Sequence, residues 1–194
     1  MVWLGPKMSS PEALSPLQEA LLVSRAQAGD SAAFRTLILS LETRLFYFIR
    51  RLVSDEHRAA DVLQDVWLTA FQKLRRLREP AAFRGWVYRI AHDRAVTTTR
   101  RESCPAKELA VDVADDAVAS LDEFTRREQA AAVHRAIDHL SAEHRAVITL
   151  RFLEDLSLAA IAEILREPLG TVKSRLHYAK ESLRLLLMEE SAHE

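Results

Sequence analysis

Glycine is scarce in this chain, with 4 residues among 194, and cysteine scarcer still, with one. Glycine loses the most backbone entropy in a helix, and Ala and Leu, both abundant here, lose little. Few segments look like strands, so an all-α protein is expected. A single thiol excludes an internal disulfide and fits a reducing compartment. Cys104 stands beside Pro105 in a segment that reads as a linker, with no organised His or Asn partner. That setting does not indicate a thiolate nucleophile. No run reaches the ~20 consecutive apolar residues that a membrane-spanning helix needs, so no membrane insertion is expected. The opening MVWLGPKMSSPEALSP lacks the basic start and apolar run of a secretory signal. A cytoplasmic protein is expected. Hydrophobic residues make up 48%, enough for a core.

Net charge is also small, at −1, but it is unevenly spread. Between Lys73 and Arg101 lie Lys73, Arg75, Arg76, Arg78, Arg84, Arg89, Arg94, Arg100 and Arg101, opposed by Glu79 and Asp93. Glu108, Asp112, Asp115, Asp116 and Asp122 then follow, against Lys107. A cationic block beside an acidic tether is the footprint of a polyanion-binding face, and equally of a solvated helix followed by a solvated loop.

The chain divides into two helical domains. Residues 1–16, with three prolines, read as a flexible lead-in. The first domain covers 17–102. Helices are expected at 17–28, ended by Gly29, at 32–52 with Asp30 or Ser31 as its cap, from the Ser54-Asp55 cap through Leu74, and at 83–101 after a loop containing Pro80. Residues 103–122 are acidic and aperiodic and read as a flexible linker. The second domain covers 123–189, with helices at 123–139, 142–153, 157–166 and 170–188. Ser141, Ser157 and Pro168-Leu169-Gly170-Thr171 are the start signals of the last three.

The last two helices carry the most information. Leu158, Ile161, Ala162 and Leu165 share one face, at i, i+3, i+4 and i+7. A turn with Glu167 and Pro168 follows. Val172, Leu176, Ala179, Leu183 and Leu186 then form an inner stripe. At about 100° per residue, Thr171, Ser174, Arg175, Tyr178 and Ser182 fall opposite it, flanked by Lys173, Lys180 and Arg184. This is helix-turn-helix spacing, with small polar and basic groups on the helix that would enter a major groove. Arg175 suits a bidentate contact to guanine. Lys173 and Lys180 suit phosphates, which fix register rather than sequence. An ordinary amphipathic hairpin has the same spacing.

The segment GTVKSRLHYAKESLR resembles the recognition helix of extracytoplasmic-function (ECF) sigma factors, whose motif is close to GTVKSRLxRAxxxLR. Tyr178 stands where arginine is usual. HRAIDHLSAEHRAVITLRFLEDLSLAAIAEIL resembles the rest of their region 4, with Ala160 where Glu is usual. The resemblance implies that Thr171, Lys173, Ser174, Arg175, Tyr178 and Lys180 face the promoter −35 element.

In the first domain, DVLQDVWLTAFQKL buries Leu63, Val66, Trp67, Ala70 and Leu74 and projects Asp61, Gln64, Asp65 and Leu68 on the other side, with Gln72 in line. A polar face with one exposed leucine fits a protein contact, or plain solvent. ADVLQDVW is similar to the AEDLVQEVF segment of sigma region 2, with Ala60 replacing the usual Glu. The resemblance makes Asp61, Gln64, Asp65 and Leu68 candidates for docking on the β′ clamp helices of core RNA polymerase.

FRGWVYRIAHDRAVTTTRR resembles the family's FRxWLYRIAxNxAxDxxRR. Phe83, Val87, Ile90 and Ala91 fit a buried stripe, and Trp86 is expected in the core. By resemblance, Arg76, Arg78, Arg84, Arg89, His92, Asp93, Arg100 and Arg101 are the −10 candidates. Cationic grooves that receive unstacked bases hold opened DNA strands. Asp93 replaces a common Asn and Thr97 a common Asp; Asp93 is able to accept from a cytosine amine. The family also implies contact with the polymerase β flap, promoter DNA and an anti-sigma factor.

Two other readings compete. A polymerase-independent helix-turn-helix regulator would need a dimerisation segment, which is not evident, and leaves residues 61–101 unexplained. A metal enzyme is suggested by His134, His139 and His144, but spacings of five place them about 140° apart on a helix. No Glu-x-x-His pair repeats as bundle metal sites require. No catalytic residue, cofactor or metal is expected.

Overall fold

The computed structural model describes residues 14–101 and 132–191. The expected linker at 103–122, Cys104 and the start of the helix expected at 123–139 lie outside the described residues.

Helix α1 (Pro16–Gln27) starts on a capping box. The Ser15 side chain accepts from the Gln18 amide, and the Gln18 side chain accepts from the Ser15 amide. Gly29, at φ +101°, supplies the left-handed turn that ends it. Asp30 then caps α2 (Ser31–Leu52) by accepting from the Ala33 amide. That bond and the Arg25 guanidinium hold the Asp30 carboxyl below its ordinary pKa. Phe34, Leu37, Leu41, Leu45, Phe48 and Ile49 recur at helical spacing and are buried.

Asp55 caps α3 (Glu56–Lys73) by accepting from the Arg58 amide. Short 3₁₀ turns at Leu74–Arg76 and Pro80–Ala82 bridge to α4 (Phe83–Arg101). The Gln27 amide donates to the Leu74 and Leu77 carbonyls at 3.0 and 2.7 Å, pinning this bridge to the end of α1.

In the second unit, α5 covers 132–138. Helix α6 (Ala142–Ile148) is capped by Ser141. The sequence predicts a helix running unbroken to 153. Instead it widens into a π turn at Thr149–Leu153, followed by Asp155 at φ +51°. This turn lowers Glu154 into a buried site against α2. Helix α7 (Leu158–Leu165) is capped by Ser157, and α8 (Leu169–Ser191) follows the turn at 166–168.

The two units form one packed body, which the reading of two tethered domains did not anticipate. Helix α4 packs on α7, and α2 packs on α6. Val147, Leu150, Ile161, Ile164, Leu165 and Val172 join one apolar cluster with α2, α3 and α4. A smaller cluster of Ile137, Leu140, Ile148 and Ala179 holds α5, α6 and α8 together. Ile164 was not on the expected inner stripe of α7. It is buried because α7 has two faces to cover, one toward α8 and one toward α4.

Candidate nucleic-acid interface

On α3, the buried side comprises Ala59, Val62, Val66, Trp67 and Ala70; Leu63, expected among them, is half-buried. Asp61, Gln64 and Asp65 are exposed, and Leu68 is 55% exposed on the same side. Phe71 is 60% exposed and packs at a tilt of 58° against the Phe34 ring, with ring centres 5.4 Å apart. It widens the apolar part of this surface. Sequence spacing missed it because its contact with Phe34 lies across helices. Arg94 donates to Thr69 Oγ1 at 3.1 Å and stands 3.9 Å from the Asp65 carboxylate, an exposed pair of little energetic weight.

The −10 candidates separate into different environments. Arg76 and Arg78 are exposed on the bridge before α4, and Arg89 is half-exposed on α4. Arg100 is exposed near the end of α4, whose last residue is Arg101. Arg84 departs from the expectation of a DNA-facing cation. Its guanidinium donates to the buried Glu19 carboxylate at 2.8 and 3.2 Å, tying α4 to α1. Glu19 was overlooked because a glutamate in a first turn reads as solvated. Tyr88 is fully buried, edge-on to Phe48, and burial together with the Glu154 charge pushes its phenol well above the ordinary pKa. Trp86, expected in the core, is half-buried beside Phe83.

His92 and Asp93 face the second unit. The Asp93 carboxylate accepts from Arg166 at 2.7 Å, an ion pair spanning 73 residues of sequence. Arg166 is in the left-handed conformation that ends α7. Burial beneath this turn lowers the His92 pKa. Arg166 and Arg175 lower it further, and Asp93 and Glu167 oppose them.

On α8, Lys173, Ser174, Tyr178 and Lys180 are exposed, with Tyr178 at 61% beside His177. Thr171 is half-buried, and its carbonyl accepts from the Ser174 hydroxyl. Arg175 is not open to a base. It pairs with Glu143 at 2.9 Å and Glu167 at 3.1 Å. A guanine contact would have to displace both carboxylates.

The three histidines are also placed differently from the helical-wheel expectation. His139 and His144 line one shallow surface hollow, because the chain turns at 139–141 instead of continuing as one helix. His134 lies elsewhere, against Tyr47 of α2. Among the described residues no His, Cys, Asp and Glu group could hold a metal ion, and no helix is long and apolar enough to cross a membrane.

Comparison with known proteins matches both units. The Sigma-70 region 2 family pattern matches residues 37–103, and the Sigma-70, region 4 pattern matches residues 136–185. The chain is 33% identical to the RNA polymerase sigma-H factor of Pseudomonas aeruginosa over 181 residues, covering 88% of this chain and 94% of that protein. It is 35% identical to the ECF RNA polymerase sigma factor SigL of Mycobacterium tuberculosis over 173 residues, covering 86% and 96%. Two solved structures share the fold. One is CnrH in complex with the cytosolic domain of CnrY, with a TM-score of 0.63, 21% identity, and 89% and 98% of the two chains covered. The other is the sigma factor RpoE in complex with the anti-sigma factor NepR from Bartonella quintana, with a TM-score of 0.66, 23% identity, and 80% and 96% covered. On both sequence patterns and on identity over nearly its full length, the chain belongs to the ECF branch of the sigma-70 family of RNA polymerase sigma factors.

Proposed function

We propose that this chain binds core RNA polymerase and directs it to specific promoters, bringing no catalysis of its own and working in the cytoplasm. The exposed face of α3 carries the reading. Asp61, Gln64 and Asp65 are solvated on the same side of α3 as Leu68, an apolar residue left more than half exposed. That face is the docking site for the β′ clamp helices. On α8, Lys173 and Lys180 take phosphates, while Ser174 and Tyr178 are the groups free to read −35 bases. Arg76, Arg78 and Arg89 supply the cationic side of the −10 groove, and His92 and Asp93 read within it once Arg166 withdraws. Residues 17–102 and 123–189 are the corresponding functional domains. The β flap is a second polymerase contact, made through the second domain. An anti-sigma factor is the expected regulator, since RpoE, which shares the fold, is in complex with the anti-sigma factor NepR.

The test is co-elution of the purified chain with bacterial core polymerase, with an Asp61→Ala/Gln64→Ala/Asp65→Ala variant as control. Binding that is lost in the folded triple variant supports the reading. Failure of the folded wild-type chain to bind would leave a polymerase-independent helix-turn-helix regulator as the better description.

A further inference from the structure

The solvent-facing side of α8 is not the side that its sequence spacing indicates. Thr171, Arg175 and Ser182, expected on the reading face, are half-buried. Arg175 is drawn inward by Glu143 of α6 and Glu167 of the preceding turn. Between positions 173 and 184 the exposed residues are Lys173, Ser174, His177, Tyr178, Lys180, Glu181 and Arg184. At about 100° per residue, the centre of this arc lies roughly a quarter turn from the expected one, near His177 and Glu181. Lys173, Lys180 and Arg184 fall together on one flank, within about 40° of one another, and Tyr178 falls on the other. The rings of His177 and Tyr178 meet at 66°, with centres 5.5 Å apart. That contact restricts the imidazole before any ligand arrives, which lowers the ordering cost of binding.

Three cations in line suit one phosphate backbone, which takes Lys and Arg regardless of sequence. With that flank on the backbone, the side chains next to it turn toward the floor of the groove. Glu181 is the one acid on this arc, and its carboxylate is repelled by phosphate. Among base edges its good partner is the cytosine N4 amine, from which it accepts. The His177 imidazole keeps an N–H donor in either neutral tautomer, and guanine presents O6 and N7 as acceptors. We propose that His177 and Glu181 determine −35 specificity, His177 by donating to a guanine and Glu181 by accepting from a cytosine amine. This rests on the −35 role proposed for α8. The two residues stand one helical turn apart, about 6 Å along the axis. Base pairs rise about 3.4 Å, so the two contacts fall about two base pairs apart. Arg175 stays on its two carboxylates and fixes α8 to α6 and to the turn.

Selection from promoter fragments randomised across the −35 region, by the chain bound to core polymerase, tests this. The unaltered chain is expected to enrich a guanine and a cytosine about two base pairs apart. His177→Ala should lower the preference for that guanine about fivefold or more and leave the cytosine preference in place. Glu181→Gln should move preference at the other position from cytosine to adenine, because an amide reads adenine N6 and N7. Both residues are exposed, so both variants should fold, and circular dichroism checks that they do. Lys173→Ala, the backbone control, should weaken all sequences alike. Unchanged −35 profiles in the two folded variants would overturn the proposal and leave the −35 role of α8 standing. An even loss of affinity in both, like that of Lys173→Ala, would overturn it too, by making the pair backbone contacts. An unaltered chain that enriches no −35 sequence overturns the −35 role and the proposal with it.

Discussion

Arg51 and Asp138 pair across 87 residues of sequence and join α2 to α5, with the arginine side chain 1% and the aspartate 29% exposed. The asymmetry predicts unequal mutational costs. Asp138→Ala strands a buried cation and should cost about 2–3 kcal/mol, below the upper range for buried pairs because the aspartate is partly solvated. Arg51→Met removes charge and desolvation together and should cost less than about 1 kcal/mol. Urea denaturation of both variants checks the order, and a larger loss for Arg51→Met contradicts it.

The same cluster, in which Tyr47 hydrogen-bonds His134 Nδ1 beside Arg51, should make the folded chain acid-sensitive. Burial and the Arg51 charge hold the His134 imidazole below its ordinary value of 6.5, against the opposing pull of Asp138. Nδ1 faces the Tyr47 hydroxyl and Arg51, so it serves as an acceptor. His92 is lowered too, by burial first. On unfolding, both rings take up protons near 6.5, while the folded chain resists until lower pH. Their contribution to stability is therefore fully present above that value and is lost as pH falls toward the lowered pKa values. The urea midpoint should fall between about pH 7.5 and about pH 5.5. His134→Gln keeps an acceptor without titrating and should flatten part of that slope. A profile that is unchanged by His134→Gln removes this histidine from the pH response.

Arg84 is predicted to act on stability and not on DNA. Its partner Glu19 is a buried carboxylate with no other ion pair among the described residues. Arg84→Ala should cost about 1–3 kcal/mol in urea denaturation, the range for stranding a buried hydrogen-bonded charge. Promoter affinity of the folded fraction should stay within about twofold, a change of less than 0.5 kcal/mol. Loss of affinity with stability unchanged would return Arg84 to the −10 surface.

What the sequence revealed and what it hid divide along one physical line. Periodicity and capping are local, so Asp30, Asp55, Ser141 and Ser157 mark helix starts that the structure shares to within a residue or two. The two motif blocks are also contiguous in sequence, which is why the family was legible. Pairings between distant residues leave no local trace. Arg84 with Glu19, Arg166 with Asp93 and Arg51 with Asp138 all join residues more than sixty positions apart. Arg84 therefore read as a DNA-facing cation, and Arg51 and Arg166 drew no attention. The packing of α4 on α7 was hidden for the same reason. The burial of Tyr88 also leaves no local trace, because an aromatic among arginines fits a base-stacking platform as well as a core.

Leu68 offers a clean separation of binding from folding. At 55% exposure it contributes little to the core, so Leu68→Ala should change stability by less than about 0.5 kcal/mol. As the apolar centre of a polar docking face it should weaken polymerase binding about tenfold or more, as truncated interface anchors do. Competition against labelled wild-type chain for core polymerase measures this. Equal competition by Leu68→Ala would move the docking site off this face, with Phe71 the next side chain to truncate.

The recognition helix should show two kinds of loss. Lys173 is exposed and positioned for phosphate, so Lys173→Ala should weaken binding of polymerase-bound chain to all promoter sequences alike. It should also reduce the salt dependence by about one counterion, the signature of one lost phosphate contact. Tyr178 carries no charge, so Tyr178→Ala should leave the salt slope unchanged and alter preference among −35 variants. The ratio of affinities for matched and altered −35 elements should drop by roughly 1–3 kcal/mol if the ring contacts a base. Titrations at several salt concentrations give slope and preference in one data set. If Tyr178→Ala instead lowers affinity evenly across −35 variants, the ring is a backbone contact, and Ser174 becomes the exposed base reader on this face.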